Sequence, residues 1–311
     1  MCPHVAHADG SSRLPPPLFA RHHRWAGPSA WTGTNAPAER FFPLEQLLTT
    51  KKPDIRIRLG AKDLPSEDGD FRTDVPGVGA YVVRGGSEIV VLPEEGVDRQ
   101  QLNLYLTASV WGALCLQRGI QILHGSAIQA GGRVFAFSGH SGAGKSTMAA
   151  WLVRRRCEPF IDDTGRLEIV GERVVLYPSS RRLKLWGDTV RALGQVPDGL
   201  TQVAASFEKF YVPLPGQQPA DPAPLDAIYL LSWGDLDLRC LTGAEALERF
   251  LGACTYRPEY LDPMGRKQAL IRNSIRIVGK VPIYELSRPQ DIGALDDSIA
   301  LLERHWNDDF A

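Results

Sequence analysis

The sequence predicts an α/β fold with a small β-rich unit near its N-terminus, and three patterns support that prediction. Polar and apolar residues alternate at period two in short runs within residues 39–98, which is typical of half-buried strands. From residue 99 onward, apolar strand-like runs are interspersed with helix-like runs. One strand-like run, at residues 133–138, continues directly into a glycine-rich loop and a helix-like run. We therefore predict a flexible arm over 1–38, a small β-rich domain over 39–98 and a larger domain over 99–311.

Composition is that of a folded protein and excludes several functional classes. Among 311 residues, 43% are hydrophobic and 23% are charged, and 35 basic residues nearly balance 36 acidic ones. This balance predicts neither nucleic acid nor an anionic membrane as a partner. No run approaches the roughly 18 apolar residues of a membrane-spanning helix, and the N-terminus lacks the pattern of a secretory signal. The 5 cysteines contain no CxxC pair, so neither a zinc ribbon nor a disulfide scaffold is indicated. We expect a cytoplasmic protein.

The N-terminal arm is rich in Pro, Gly, Ser and Ala. It also holds four histidines, namely His4, His7, His22 and His23. Metal binding by these histidines is one interpretation, but their spacing fits no helix or hairpin. The favoured interpretation is a solvated, flexible arm.

Local patterns predict the elements of the β-rich domain and the helix after it. Residues 54–59 alternate as a strand does. The runs 80–84 and 87–92 predict a hairpin, because the intervening Gly85-Gly86 pair supplies the positive φ angles of a tight turn. Residues 99–118 place their apolar side chains at helical spacing.

The larger domain begins with a hairpin that leads into the glycine-rich loop. Residues 120–129 predict a strand interrupted at His124-Gly125, and residues 133–138 predict its antiparallel partner. Later runs predict a helix over 148–156, strands over 159–163, 167–170, 174–177, 225–232 and 281–286, and helices over 244–254 and 291–304.

Residues 139–146 match the pattern GxxxxGK[ST] at every fixed position, between a strand and a helix. Glycines in such a loop let backbone N–H groups approach phosphate oxygens, and the helix that follows adds the positive end of its dipole. Lys145 would reach the β- and γ-phosphates, and Ser146 would place its hydroxyl on Mg²⁺. The predicted nucleotide-binding residues are Gly139, Ser141, Gly142, Ala143, Gly144, Lys145, Ser146 and Thr147.

An acidic pair follows the loop helix. Asp162-Asp163 ends a strand that we expect beside residues 133–138, with its carboxyl end near the same phosphates. A carboxylate there can hold Mg²⁺ or accept the proton of an attacking hydroxyl. Adjacent residues on a strand point to opposite faces, so the two aspartates are predicted to differ in role. The alternative is a turn-forming Asp-Asp. His124 is a lone histidine near the loop, and a structural histidine is its alternative interpretation.

Together, LHGSA (123–127), GHSGAGKST (139–147) and FIDD (160–163) resemble the catalytic domain of the HPr kinase/phosphorylase family. That resemblance implies a P-loop kinase core of the type shared with phosphoenolpyruvate carboxykinases. It further implies ATP and Mg²⁺ as cofactors and Asp162 as the base, with His124 and Lys145 as further catalytic residues. Ser146 and Asp163 would then hold the metal.

The glutamate-containing E-[IV]-R-G-L-G segment of that family is absent, and residues 179–186 (SSRRLKLW) occupy its place. The chain is more similar to the HPr-kinase-like serine kinases of lasso peptide clusters. This similarity implies phosphorylation of the C-terminal serine of a precursor peptide. Relatives form rings, which is compatible with a homo-oligomer. The alternatives are a regulatory HPr kinase/phosphorylase, a non-catalytic ATP-sensing module and a small-molecule kinase. Candidate cations for the acceptor are Arg181, Arg182, Lys184, Arg266, Lys267, Arg272 and Arg276.

Overall fold

The computed structural model describes residues 55–61, 64–65, 67–179, 182–204, 207–213 and 221–310. The predicted arm over 1–38, with its histidines, lies outside these residues. Contacts divide the described chain into two units. The N-terminal unit holds residues up to 120 together with 257–269, and the core unit holds 121–256 together with 270–310. Within the described ranges, no helix is both long enough and apolar enough to cross a membrane.

The N-terminal unit contains a four-stranded sheet in the order β1-β4-β3-β2. Its strands are β1 (Arg56–Leu59), β2 (Phe71–Val75), β3 (Gly79–Arg84) and β4 (Glu88–Pro93). β3 and β4 form the predicted antiparallel hairpin, and the Ser87 N–H donates to the Arg84 carbonyl across the turn at 3.0 Å. The hairpin prediction is therefore confirmed. β1 pairs in parallel with β4.

The predicted helix follows as one helical segment with a wide turn in its middle. Its parts are α1 (Arg99–Tyr105), a π-helical turn (Leu106–Val110) and α2 (Trp111–Gln117). The segment is bonded to the sheet, because the Tyr81 hydroxyl donates to the Leu102 carbonyl at 3.0 Å and Gln117 Nε2 donates to the Val83 carbonyl at 2.9 Å. These contacts group the helices with the β-rich sheet, whereas the sequence placed a boundary after residue 98.

The core unit is built on an eight-stranded sheet and a separate three-stranded sheet. Its strands are β5 (Gln121–Ala130), β6 (Arg133–Ser138), β7 (Glu158–Ile161), β8 (Thr164–Val170), β9 (Arg173–Leu176), β10 (Arg182–Trp186), β11 (Thr201–Ala204), β12 (Phe207–Pro213), β13 (Ala223–Trp233), β14 (Asp237–Leu241) and β15 (Ile283–Arg288). Its helices are α3 (Lys145–Arg154), α4 (Gly187–Ala192), α5 (Gly243–Cys254), α6 (Lys267–Val278) and α7 (Leu295–Asp309), with the first residues of α6 in the N-terminal unit.

The large sheet runs in the order β14-β15-β13-β6-β5-β8-β9, and β7 also pairs with β5. β5 is one continuous strand, so the interruption predicted at His124-Gly125 is wrong. The strand continues because it pairs with β6 from Gly125 to Ala130, while its first half pairs with β8. β13 pairs in parallel with β6 on the other side.

β7 does not pair with β6, and in this respect the sequence prediction is wrong. β5 lies between them and is antiparallel to both. Two antiparallel pairings in succession make β7 parallel to β6. The carboxyl ends of the two strands therefore meet at the same edge of the sheet, as predicted.

Helices cover both faces of the sheet around β6. Phe135 and Phe137 face a core that includes α3 and α7, whereas Val134 and Ala136 face a core that includes α5 and α6. Successive strand residues point to opposite faces, so a strand covered on both sides is apolar at every position. This explains the continuous apolar run before the loop and confirms the mixed α/β class.

Candidate active site

The glycine-rich loop connects β6 to α3 and requires glycine where the helix begins. Gly144 is the residue before α3, and its φ of +82° lies in the left-handed region. A Cβ atom at this position would clash with Nη2 of Arg288. All of the predicted nucleotide-binding residues lie in this loop or the first turn of α3: Gly139, Ser141, Gly142, Ala143, Gly144, Lys145, Ser146 and Thr147.

Lys145 and Ser146, the first two residues of α3, direct polar atoms to different sides of the loop. Lys145 Nζ donates to the carbonyl oxygens of Gly139 at 2.8 Å and His140 at 3.1 Å. Burial lowers the pKa of this ammonium. The Ser146 hydroxyl donates to Asp162 Oδ1 at 2.8 Å. The loop serine therefore contacts the acidic pair that the sequence placed at the same edge.

Asp162 is a buried carboxylate that accepts three hydrogen bonds. It is only 8% exposed. Its Oδ1 accepts from the hydroxyls of Ser146 and Ser126, and its Oδ2 accepts from the Lys184 N–H, each at 2.8 Å. Burial, and then the charge of Asp163, raises the pKa of Asp162. Ser126 was not predicted as a site residue, although it lies in the LHGSA segment that carried the resemblance.

Asp163 points away from Asp162 and into a cavity. Its φ of +73° is unusual for a residue with a side chain and turns the chain out of the strand path. Asp163 Oδ2 accepts from Lys184 Nζ at 2.7 Å, and the Asp163 side chain remains 30% exposed. Burial alone would raise the pKa of Asp163, but Lys184, and then His124 and Lys209, together outweigh burial and lower that pKa.

The cavity has a volume of about 510 Å³ and lies within the core unit. Its walls include the loop, Asp163 and His124, but not Asp162. The basic side chains that line it are Lys145, Lys184, Lys209 and Arg288. Four cations around one glycine-rich loop suit a ligand that carries several phosphates.

His124 lies on β5 at the wall of this cavity. Its ring centroid is 5.4 Å from that of Tyr256, and its charge contributes to the lowered pKa of Asp163. The structure thus places His124 beside the acidic pair, and its catalytic role stays a prediction.

Arg288 is a cation of the site that the sequence did not identify. It ends β15, is 3% exposed, and its Nη2 donates to the Ala143 carbonyl of the loop at 2.9 Å. Burial lowers the pKa of its guanidinium to about 10, so the side chain remains charged at neutral pH. The sequence signal was a basic residue two positions after the strand predicted over 281–286.

The predicted acceptor cations have different positions. Lys184 lines the cavity, whereas Arg182 stacks on Tyr211 with its Cζ atom 3.9 Å from the ring centroid. Arg181 lies outside the described residues. The later four do not line this cavity: Arg266, Lys267, Arg272 and Arg276.

The oxygen donors of the site fit Mg²⁺. Within the described ranges, no group of three or more His, Cys, Asp or Glu side chains could hold a metal by itself. Mg²⁺ usually takes only one or two protein carboxylates and fills its other positions with water and phosphate oxygens. The Ser146 hydroxyl, Asp162 and Asp163 are hard oxygen donors of this kind beside the loop. The residues present therefore match a nucleotide-dependent magnesium site.

We expect Gly125→Ala to destabilise the protein by about 1–3 kcal/mol, because the added methyl group has no space. An ideal Cβ at Gly125 would lie 2.5 Å from the Phe137 carbonyl oxygen of the neighbouring strand β6. Gly252→Ala is the matched control, since Gly252 lies in α5 with no atom within 4 Å of an added Cβ. We expect this variant to gain about 0.5–1 kcal/mol from helix propensity. Urea unfolding measures the free energy of unfolding of each variant. Equal stabilities of Gly125→Ala and Gly252→Ala would contradict the prediction.

Comparison with known proteins finds similarity among solved structures. No protein-family model matches the chain, and no curated protein sequence does. Among solved structures, the chain is similar to the HPr(Ser) kinase/phosphatase from Coxiella burnetii, with a TM-score of 0.30 and 10% sequence identity. That similarity covers 60% of this chain and 97% of the other.

Proposed function

We propose that this protein transfers the terminal phosphoryl group of ATP to a serine hydroxyl of a peptide or protein. The observation that carries the proposal is the arrangement of the acidic pair around the loop. Asp162 accepts from the loop serine, Ser146, and Asp163 faces a cavity lined by four cations. A nucleotide site alone needs no second carboxylate directed at the reacting phosphate.

The roles of the two aspartates follow from their exposure. Asp162 is buried, and both of its oxygens already accept hydrogen bonds, so it orients Ser146 and contributes to the magnesium site. Asp163 is open to the cavity and is the residue that can meet an acceptor hydroxyl. This division is the reverse of the one implied by the family resemblance, which made Asp162 the base.

The proposed reaction balances without any further reactant. The acceptor oxygen forms a bond to the γ-phosphorus, and the bond from that phosphorus to the β–γ bridging oxygen breaks. ADP leaves, and the proton of the acceptor hydroxyl passes to Asp163. Lys145, the loop N–H groups and Arg288 stabilise the phosphate charge. Bound Mg²⁺ supplies charge neutralisation for the phosphates.

The acceptor side of the cavity favours a peptide over a small metabolite. Trp186 is 50% exposed and lies two residues after Lys184 on β10. Lys209 on β12 lies with its Nζ 5.6 Å from the centre of the Trp186 ring. Both line the same cavity as Asp163. An exposed aromatic beside a cation suits an extended peptide, and the C-terminal serine of a lasso-type precursor is the acceptor we propose.

Mass spectrometry of acceptors incubated with ATP, Mg²⁺ and the full chain tests this function. The panel holds a peptide with a C-terminal serine, the same peptide ending in alanine, and HPr. A gain of one phosphate on the serine peptide alone supports the proposal. Phosphate on HPr alone would favour a regulatory HPr kinase, and bound ATP with no product would favour a nucleotide sensor.

We expect Lys184→Met to move the acid limb of the transfer rate to higher pH. Among the groups that lower the pKa of Asp163, Lys184 contributes most, so its removal raises that pKa. A base with a raised pKa becomes protonated earlier as pH falls, so activity is lost at higher pH than in the wild type. The measurement is the pH profile of kcat/KM. Lys280→Met is the control, because Lys280 pairs with Glu172 and does not line the cavity. An unchanged profile for Lys184→Met would exclude Asp163 as the titrating base.

A further inference from the structure

Trp233, at the end of β13, is one of the exposed aromatic residues of the core unit. It is 41% exposed, whereas Tyr229, earlier on the same strand, is fully buried. Its side chain lines the same cavity as the phosphate loop. An exposed indole costs free energy in water, so its position in a cavity points to a planar or apolar ligand group.

The Trp233 ring is fixed against the loop from one side. The Arg288 guanidinium lies over the ring, with Cζ 4.3 Å from its centroid, and the same guanidinium donates to the Ala143 carbonyl. An ideal Cβ at Gly144 would lie 3.5 Å from Trp233 Cη2, so the ring edge is close to the loop backbone. Arg288 covers one face of the indole, and the exposed area belongs to the remainder of the ring.

The strand order separates Trp233 from the acidic pair. β13 is the neighbour of β6 on one side, while β5 and then β7 lie on the other. β6, β7 and β13 run in the same direction, so the loop, Asp163 and Trp233 all follow carboxyl ends at one edge. The loop therefore lies between Asp163 and Trp233.

In-line transfer places the acceptor oxygen and the leaving oxygen on opposite sides of the transferred phosphorus. If the acceptor lies beside Asp163, the leaving oxygen and the rest of the nucleotide therefore lie on the opposite side, toward β13 and β15. Ile292, which follows β15 and is 37% exposed, also lines the cavity at this end. The nucleobase is the planar part of the ligand that would lie there.

We propose that Trp233 is the stacking platform for the nucleobase of the bound nucleotide, with Arg288 holding the indole against the phosphate loop. The inference rests on the proposed nucleotide binding and adds the subsite for the base. Every base presents a π-face, so this platform provides affinity for a nucleoside triphosphate without selecting adenine over guanine.

Calorimetric titration of the full chain with Mg²⁺ and either ATP or inorganic tripolyphosphate tests the platform. We expect Trp233→Ala to weaken ATP binding about 5- to 150-fold, the range that alanine substitution of a stacked aromatic gives. Tripolyphosphate has no base, so its affinity stays within twofold. Trp233→Phe keeps most of the ATP affinity. Leu236→Ala is the matched control, because Leu236 is 38% exposed on the same loop after β13 and does not line the cavity.

Three results would overturn the platform while leaving the phosphate site intact: unchanged ATP affinity in Trp233→Ala, an equal loss for both ligands, or equal affinity of the wild type for both. An equal loss would mean that the ring only supports the loop. Failure of the wild type to bind either ligand would instead overturn nucleotide binding itself, and the platform with it.

Discussion

Asp163→Asn is expected to lower phosphoryl transfer about 10²- to 10⁴-fold, the range for loss of a general base. Asparagine has nearly the same shape and can still accept from Lys184 Nζ, so the local structure is retained. It cannot take up the proton of the acceptor hydroxyl. Because Asp163 is not the carboxylate bonded to Ser146, we expect ATP affinity in the presence of Mg²⁺ to change by no more than a few fold.

Two further aspartate variants test whether the loss of transfer is specific to Asp163. Asp188→Asn should retain wild-type transfer, because Asp188 lines the same cavity but pairs with Arg191 and is almost fully exposed. Asp162→Asn should weaken Mg²⁺-dependent ATP binding, since Asp162 orients the Ser146 hydroxyl. The opposite pattern, an active Asp163→Asn and an inactive Asp162→Asn with normal ATP binding, would restore Asp162 as the base.

Single-turnover phosphorylation of the serine peptide, monitored by mass spectrometry, gives the rate of the chemical step for each variant. Calorimetric titration with ATP and Mg²⁺ gives the affinity separately. A variant whose transfer rate and ATP affinity fall in parallel has lost nucleotide binding and not the general base. The two measurements therefore separate the roles that adjacency in sequence leaves unresolved.

The strands around the loop were predictable because their signals are local. The hairpin before the loop, the loop itself and the helix after it each depend on side-chain spacing over a few residues. The pairing of β7 with β5 instead of β6 was not predictable from those runs. Both arrangements bury the same apolar side chains, and only the tertiary order of strands decides between them.

Helix α6 and the strands of the small sheet were not predicted from the sequence. Helix α6 buries Leu270, Ser274 and Ile277, which are spaced as residues on one helix face, so its periodic signal was present in the sequence. Strands β10 and β12 pair in a small sheet, and the chain between them includes a helix and β11. β10 does alternate, with Leu183 and Leu185 buried, but it has only five residues and its partner is distant in sequence. The burial of β12 is less regular.

In the candidate site, too, contacts between residues that are distant in sequence could not be predicted. The loop and the acidic pair were found because each is contiguous, but Arg288 contacts Ala143 across a separation of 145 residues. Lys184 contacts Asp163 across 21 residues through a strand of the second sheet. The sequence also predicted that the two aspartates point apart. It did not show which one faces the cavity, because the positive φ of Asp163 departs from the regular alternation of a strand.

Lys145→Met is expected to reduce phosphoryl transfer about 10²- to 10³-fold, the usual loss when one donor to developing phosphate charge is removed. In this structure the ammonium bonds to two loop carbonyls, those of Gly139 and His140. Burial lowers the pKa of this ammonium, because partial removal from water disfavours its charged form. Methionine keeps the length of the side chain and removes only the charge and its hydrogen bonds.

Binding of ATP and of tripolyphosphate to Lys145→Met should weaken to the same extent, because the role we propose for Lys145 is contact with the phosphates and not with the nucleobase. That equality distinguishes Lys145→Met from Trp233→Ala, which is expected to weaken the binding of ATP alone.

Lys280→Met provides the matched control for loss of one positive charge outside the cavity. Urea unfolding checks that the loop has not lost its structure along with the two carbonyl contacts. Wild-type transfer by a folded Lys145→Met variant would contradict the phosphate-loop mechanism as a whole, since no other described residue occupies the position of this ammonium within the loop.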